Sequence, residues 1–526
     1  MLAPRRGLPL LFVLALTGCS QAGSPTPVGS PPPGIVVVTT GGVALDDGAA
    51  DVPPTLDLAV SGDGVNTSVV GGKLDGRSLS LSDGDGGVVA RVAPMAYASK
   101  HTLDLDVAGR RQEVIDFHVV DRTQVSAAVW LGASGQPVVD VVFEHAPDQA
   151  PVAAALPGAK LTWTDSTHLL VGWSTPPASI SIPAGLPAAM GSVLEGPLQL
   201  SLTGLGAGQL RRATVPPAIP APSGLHVMLW TVGTAASHAS TVAHAAATTI
   251  LSPTGWVAES DGSLSDSPDA VTLAAAAAEG RPAWPLLAND FSDPGGTTQL
   301  LSSSAAEASL IGTLMGEVSS LHLGGIDLDF EDLPGTDRDA FTAFAGTLAS
   351  ALHSAGAGLA IDVIPNAPGV VDALASVYNY PQLAAVADLL VVMAYDEHTA
   401  AGDPGPVAGV GWQAEELAGT LQGVPASKVL LGIPFYSRRW SGGDVTASDY
   451  ADSVAQALSE PDVSYDYDFG GATPILDSDP GGVATQLYFD DADSLLRKID
   501  LAASLGLEGV AAWRSGFEDP AFWSVV

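Results

Sequence analysis

The chain has 526 residues, 46% of them hydrophobic, enough to bury several cores and too many for a disordered tail. Its 57 Asp and Glu against 20 Lys and Arg leave a formal charge of -37, which repels phosphate backbones and anionic headgroups and so argues against nucleic acid or a purely electrostatic membrane partner. The acids are spread along the chain rather than gathered in one tail, so most of them read as solubilising surface.

The N-terminus carries Arg5 and Arg6, then an apolar core from Leu8 to Leu16, then Thr17, Gly18 and Cys19. That is the order of a signal peptide, and the apolar stretch is too short to cross a bilayer as a stable helix. The run Leu16-Thr17-Gly18-Cys19 resembles the bacterial lipobox, in which the cysteine becomes the lipidated first residue of the mature protein. Cys19 is the only cysteine, so no disulfide can form within the chain. The expectation is an exported envelope lipoprotein with residues 1–19 as leader and Cys19 as the membrane anchor. Residues 20–34 (SQAGSPTPVGSPPPG) offer almost no apolar side chains to collapse on and read as a semi-extended tether.

From Ile35 to about Arg212, short alternating runs such as TLDLAVSG, HTLDLDVAG, VIDFHVV and VSAAVWLG are separated by Gly, Asp and Ser turns. They predict two all-β, immunoglobulin-like sandwich modules, 35–120 and 121–213, with no catalytic constellation and a spacer role. A Pro-rich hinge follows, VPPAIPAPSG at 215–224, giving a linker over 214–223. Beyond it strands alternate with helices. Candidate strands are 226–232, 248–253, 283–290, 321–331, 358–365, 388–397, 428–436 and 507–516. Eight such repeats predict an α/β domain over 224–526, a (β/α)8 TIM barrel. After the fourth strand, Thr336 is placed to cap a helix whose stripe is Phe341, Phe344, Leu348 and Leu352, and Gly356 is placed to stop it.

The run GGIDLDFE at 324–331 is the chemical focus. Successive strand side chains point to opposite faces, so Asp327, Asp329 and Glu331 share one face and Ile326, Leu328 and Phe330 the other. In a barrel the apolar set packs under the helices and the acids rise inside toward the C-terminal mouth. Neighbouring acids ~7 Å apart raise one another's pKa in a low-dielectric site, and a carboxyl held protonated is what leaving-group protonation needs. In so acidic a chain a triplet at this spacing also arises by chance roughly once, so the triplet needs support from elsewhere.

That support comes from three motifs in order. GGIDLDFE resembles the DxxDxDxE signature of glycoside hydrolase family 18, the chitinase-type barrels. Met393-Ala394-Tyr395-Asp396 is similar to that family's M-x-Y-D element after the sixth strand, and Trp513 to the Trp near the end of the eighth. MAYDEH, LLGIPFYSRRW and WRSGFEDPAFW follow the style of the spore-cortex and germination branch. The resemblance covers about 224–526 and implies substrate-assisted hydrolysis, in which the substrate's 2-acetamido group is the nucleophile and one protein acid suffices. By matched position it implies Glu331 as acid and base, Asp329 as partner of the acetamido N–H, Asp327 as its charge-tuning neighbour and Tyr395 as the group that orients the acetamido carbonyl. Asp396 and Trp513 are implied substrate-binding residues. No cofactor or metal motif is present or required. The implied substrate is a β-1,4-linked N-acetylglucosamine polymer, peptidoglycan before chitin. The alternatives are a non-catalytic cell-wall or glycan-binding envelope lipoprotein, and an envelope protein in which the β-modules act. Two features depart from the family: the signature's first Asp is Gly324, and the 441–485 segment, lacking an obvious large insertion, predicts a shallow cleft. Trp230, Trp284 and Trp412 stay unassigned, and His398 is placed as a group behind the site.

Overall fold

The apolar runs of the C-terminal half all become parallel strands. A computed structural model describes residues 36–38, 45, 47–55, 57–61, 70–84, 87–107, 113–370 and 372–526. Cys19, the leader and the tether lie outside the described residues. Eight strands, β1 (His226–Thr231), β2 (Ile250–Ala258), β3 (Leu286–Asn289), β4 (Gly325–Asp329), β5 (Gly358–Val363), β6 (Leu389–Val392), β7 (Val429–Pro434) and β8 (Gly509–Trp513), pair in sequence order, with β8 closing on β1. The eight-stranded parallel barrel is therefore complete. The fourth strand is shorter than the 321–331 run: Leu321 ends the helix Ser304–Leu321, and Glu331 lies two residues beyond the strand, in the exit loop.

The two faces of β4 divide as the alternation requires. Ile326, Leu328 and Phe330 are fully buried between barrel and helices, with Phe330 stacked on Phe341 at 6.1 Å and on Phe344 at 5.8 Å. Full burial of each such side chain contributes ~1.5–3 kcal/mol. The helix after β4, Arg338–Ser354, carries the Phe341, Phe344, Leu348 and Leu352 stripe, and Gly356, at φ 76°, follows its end. Thr336 does not cap that helix; a 3-10 turn, Gly335–Asp337, comes first and puts Asp337 at the N-cap. Inside the barrel a second core joins Met228, Trp230, Ile250, Leu286, Ala360, Val391, Leu430 and Ala511, with Trp284, Tyr395 and Trp513 packed on it.

Two compact units divide the chain at Asp121. In the first, a four-stranded and a five-stranded sheet share a core that includes Leu58, Val60, Val88, Leu103, Leu105 and Phe117. Among the described residues a chain of Ser, His and Asp runs from Ser99 through His101 (2.6 Å) to Asp75 (2.7 Å), but Ser99 Oγ donates to the Ala96 carbonyl and has no hydrogen to spare for the imidazole.

The second unit holds the other β-rich module together with the barrel, and here one expectation fails. Residues 437–488, between β7 and β8, form a five-stranded antiparallel sheet with a helix, Tyr450–Leu458, so the barrel does carry a sizeable insertion. Its strands are only four to six residues long and rich in Asp and Ser, which hid them. Their apolar face is also completed by residues far away in sequence. Ala128, Trp130 and Val142 of the module pack on Tyr465, Tyr467, Leu487 and Phe489. Ser126 bonds the Tyr465 hydroxyl at 2.6 Å, and the Tyr465 N–H donates to Asp140 at 3.1 Å. The module is thus fixed to the insertion. The Pro-rich segment after it is held too: the Ala218 and Ile219 N–H groups donate to Asp493 and Asp500, on the helix Ala492–Ser504 before β8.

Arg212 is the centre of this joint. Its buried guanidinium forks onto Asp491, at 2.8 and 2.7 Å, and reaches Asp493 at 3.1 Å, while Asp491 also caps the helix that follows it. Arg212→Ala leaves the buried Asp491 without its counter-charge, while Asp493 keeps Arg497, and is expected to cost about 3–5 kcal/mol, seen as a lower denaturation midpoint. Arg212→Lys, which keeps the charge without the fork, should recover part of it.

Candidate functional site

Strand order brings Asp327, on β4, opposite Ala360 on β5, so that Asp362, two residues further along β5, also faces the barrel interior. Asp327 is 0% exposed, and its Oδ2 accepts from Trp230 Nε1 at 2.8 Å and from Ser252 Oγ at 2.7 Å. Burial pushes its carboxyl up to about 6, with those two donors and the Asp362 carboxyl pulling it back. Asp329 sits one pleat nearer the mouth; burial, then the Glu331 charge, then that of Asp327 hold it well above the usual carboxylate range. Asp362 is raised the same way, by burial first and then by the Asp327 and Asp329 charges.

Glu331 is positioned by its backbone. Its N–H donates to Asn289 Oδ1 at 2.9 Å and its carbonyl accepts from Asn289 Nδ2 at 3.0 Å, so one amide at the end of β3 grips both sides of the residue. Beneath it the Phe330 carbonyl accepts from the buried Tyr378 hydroxyl at 2.9 Å. The next residue, Asp332, takes φ 58°, a left-handed turn that Asp tolerates at smaller cost than most residues.

On the opposite wall Tyr395 leaves β6 over the barrel mouth. Burial, followed by the Asp362 charge, keeps its hydroxyl well above its ordinary value, and the charges of Asp329 and Glu331 reach it as well. Gly432 on β7 leaves the room: a Cβ there would lie 3.0 Å from Tyr395 Cε1 and 2.6 Å from the Val392 carbonyl. Gln413 steadies this end by donating to the Ala394 and Gly432 carbonyls at 2.8 and 3.2 Å. Trp513 meets Trp230 edge to face at 5.8 Å. Asp327, Asp329, Glu331 and Tyr395 therefore share one electrostatic neighbourhood, with Trp513 beside it. Asp396 stands apart. It is half exposed, takes φ 68°, and its Oδ1 accepts from the Tyr436 hydroxyl and from Arg438 Nη2, the latter at 2.7 Å.

Several residues with structural roles here escape a reading by motif. Asn289, Asp362 and Tyr378 carry no local pattern, and Arg438 lies in the LLGIPFYSRRW run without being singled out there. Trp230 is not a surface platform but a buried donor to Asp327. His398 acts through its carbonyl, which accepts from Arg438, while its imidazole bonds the Asp403 carbonyl. Trp284 explains the missing signature acid: a Cβ on Gly324 would come within 2.6 Å of Pro282 Cβ and 2.9 Å of Trp284 Nε1. Phe291, just past β3, is 49% exposed, and Val370 and Leu374, past β5, are exposed as well, so the rim on this side offers apolar surface. Among the described residues no group of three His, Cys, Asp or Glu side chains is arranged to hold a metal ion.

Residues 291–518 match the pattern of glycosyl hydrolases family 18, so the chain carries a glycoside hydrolase domain of that family. The protein YdhD of Bacillus subtilis (strain 168) is 28% identical over 223 residues, 41% of this chain and 52% of that protein. The cortical fragment-lytic enzyme of Bacillus anthracis is 23% identical over 289 residues, 53% of this chain and 67% of that protein. The chain thus spans about half to two thirds of the length of these relatives. Among solved structures, a chitinase from Chromobacterium violaceum ATCC 12472 is similar at 26% identity and a TM-score of 0.54, covering 57% of this chain and 98% of that one.

Two substitutions probe the supports of the site. Asn289→Ala frees the Glu331 backbone and is expected to lower kcat about tenfold or more with the fold intact, checked by steady-state kinetics beside circular dichroism. Gly324→Asp, which restores the signature on paper, must displace Trp284; it is expected to lower stability by about 1–3 kcal/mol in thermal melts and to gain no activity.

Proposed function

We propose that the barrel hydrolyses β-1,4-linked N-acetylglucosamine glycans, with the substrate's acetamido group as nucleophile and Glu331 as the single protein acid and base. The observation that carries this reading is that Asp329 and Glu331, at the end of β4, share one electrostatic neighbourhood with Tyr395, which follows β6, a strand far away in sequence. Glu331 protonates the glycosidic oxygen, and after the leaving group departs it takes the proton of the attacking water. Asp329, kept at a raised pKa by burial and by Glu331, is suited to hold or release a proton against the acetamido N–H as charge develops on the oxazolinium ring. The Tyr395 hydroxyl stays protonated and donates to the acetamido carbonyl, holding its oxygen against the anomeric carbon. Trp513 gives the sugar an apolar face, and Asp396, already oriented by Tyr436 and Arg438, a hydrogen-bonding edge.

Peptidoglycan is favoured over chitin. What supports this is the similarity to a cortical fragment-lytic enzyme and the leader sequence, which reads as that of an envelope lipoprotein. On this reading Cys19 carries the lipid, and the two β-rich modules, read as immunoglobulin-like, hold the barrel off the membrane.

Purified protein is expected to release fragments from peptidoglycan and from N-acetylglucosamine oligomers, identified by mass spectrometry, and the larger yield from peptidoglycan supports the preference. Glu331→Gln is expected to lose about 10²–10⁴-fold in kcat; full activity in that variant sinks the mechanism. For the anchor, Cys19→Ser should move the protein from the membrane to the soluble fraction of an expressing bacterium.

A further inference from the structure

The barrel floor holds one acid more than the family signature accounts for. Asp362 is 1% exposed and stands on β5 two residues beyond Ala360, the partner of Asp327, with its carboxyl interacting with that of Asp327. The position where the signature places its first acid is closed, because the Trp284 indole fills the space above Gly324. An acid has therefore been lost from β4 and one is present on the neighbouring strand.

The hydrogen bonds around it define what that acid does. Asp327 Oδ2 has two donors, whereas Asp327 Oδ1, Asp329 Oδ1 and Asp362 Oδ1 are buried with none. The leading charges acting on Asp362 are those of Asp327, Asp329 and Glu331, all acidic; the other titratable groups that feel it are the Tyr395 and Tyr378 hydroxyls, which stay neutral. Three carboxylates enclosed in this way cannot all be ionised, and a protonated Asp362 supplies a donor for the orphaned Asp327 oxygen. Asp327, with two donors already fixed on it, is the member best able to bear the charge.

We propose that Asp362 is a protonated carboxylic acid that donates its hydrogen bond to Asp327 and so fixes Asp327 as the single anion of the barrel floor. Asp362 is a positioning residue for the hydrolysis proposed above, and its role in turnover rests on that reading. It leaves Asp329 with Glu331 as the strongest charge upon it. The direction of its own titration agrees: burial and its acidic neighbours hold Asp362 well above the usual carboxylate range, while the bond it donates draws Asp327 down toward about 6.

The test compares Asp362→Asn with Asp362→Ala in the full chain. Asparagine is neutral, has the same shape and still donates. Asp362→Asn should keep activity on N-acetylglucosamine oligomers within about threefold and leave the acid limb of the kcat/KM profile in place. Alanine removes a donor to the charged form of Asp327, so the acid limb should move to higher pH by about half a unit or more and activity below pH ~6 should fall about threefold or more. An alanine variant with the wild-type limb overturns the proposal, as does an asparagine variant that shifts as far as alanine, since the ionised carboxylate would then be what matters. A merely structural role would change the melting temperature and leave the limb where it is. A second measurement needs no turnover: the difference infrared spectrum of wild type against Asp362→Asn at neutral pH should show the C=O stretch of one protonated carboxyl, and a carboxylate band there instead overturns the assignment. If Glu331→Gln stays fully active while that carboxyl band is present, the role of Glu331 as acid and base fails and the assignment of Asp362 stands.

Discussion

Carboxylates enclosed in a barrel without a cation cannot all carry charge, and this constraint organises the site. Asp327, Asp329 and Asp362 lie on the inner wall of two adjacent strands, and what separates their roles is the donors each one has. Trp230 and Ser252, from β1 and β2, both converge on one oxygen of Asp327. That convergence needs the barrel to be closed, since β1 and β4 meet only across its interior. The depth of burial then sets a gradient, from a buried acid with two fixed donors at the floor to Glu331 in the exit loop, where substrate can reach it.

The mouth is built by a different device. The residues that matter there stand at or just past strand ends, and each is held by a side chain from another strand or helix. Asn289 grips the Glu331 backbone from β3, Gln413 pins the end of β6 to β7, and Tyr436 with Arg438 orients Asp396. Strand ends are free to turn sharply, and Asp332 and Asp396 do so through left-handed backbone. Loops give the site its shape, while the cross-bonds give it the stiffness that orientation of a bound sugar requires.

The joint between the second β-module and the barrel follows from an unfinished surface. The insertion between β7 and β8 presents Tyr465, Tyr467, Leu487 and Phe489, an apolar face too large to leave in water, and the module covers it with Ala128, Trp130 and Val142. Arg212 then locks the same joint to the helix that leads into β8, the strand that ends in Trp513. The module is tied in this way to the element that delivers one wall of the site.

How much of this was legible in the chain itself depends on the range of the interaction. Alternation and length marked all eight barrel strands, because side-chain periodicity is a local property of the backbone, and the same periodicity put Asp327, Asp329 and Glu331 on one face and Phe330 under the helices. The motifs around Tyr395 and Trp513 were legible too, each being a short local run. The end of β4, the 3-10 turn that displaced Thr336 from its cap and the sheet within 437–488 were not, since each is settled by packing against something distant. The sequence by itself determined the barrel, its inward-facing acids and the order of the motifs. Only the tertiary structure decided that Trp284 excludes a side chain at Gly324, that Asn289 holds Glu331, and that Asp362 on β5 is buried among the acids of β4, because each is a relation between elements whose register and proximity no local pattern encodes.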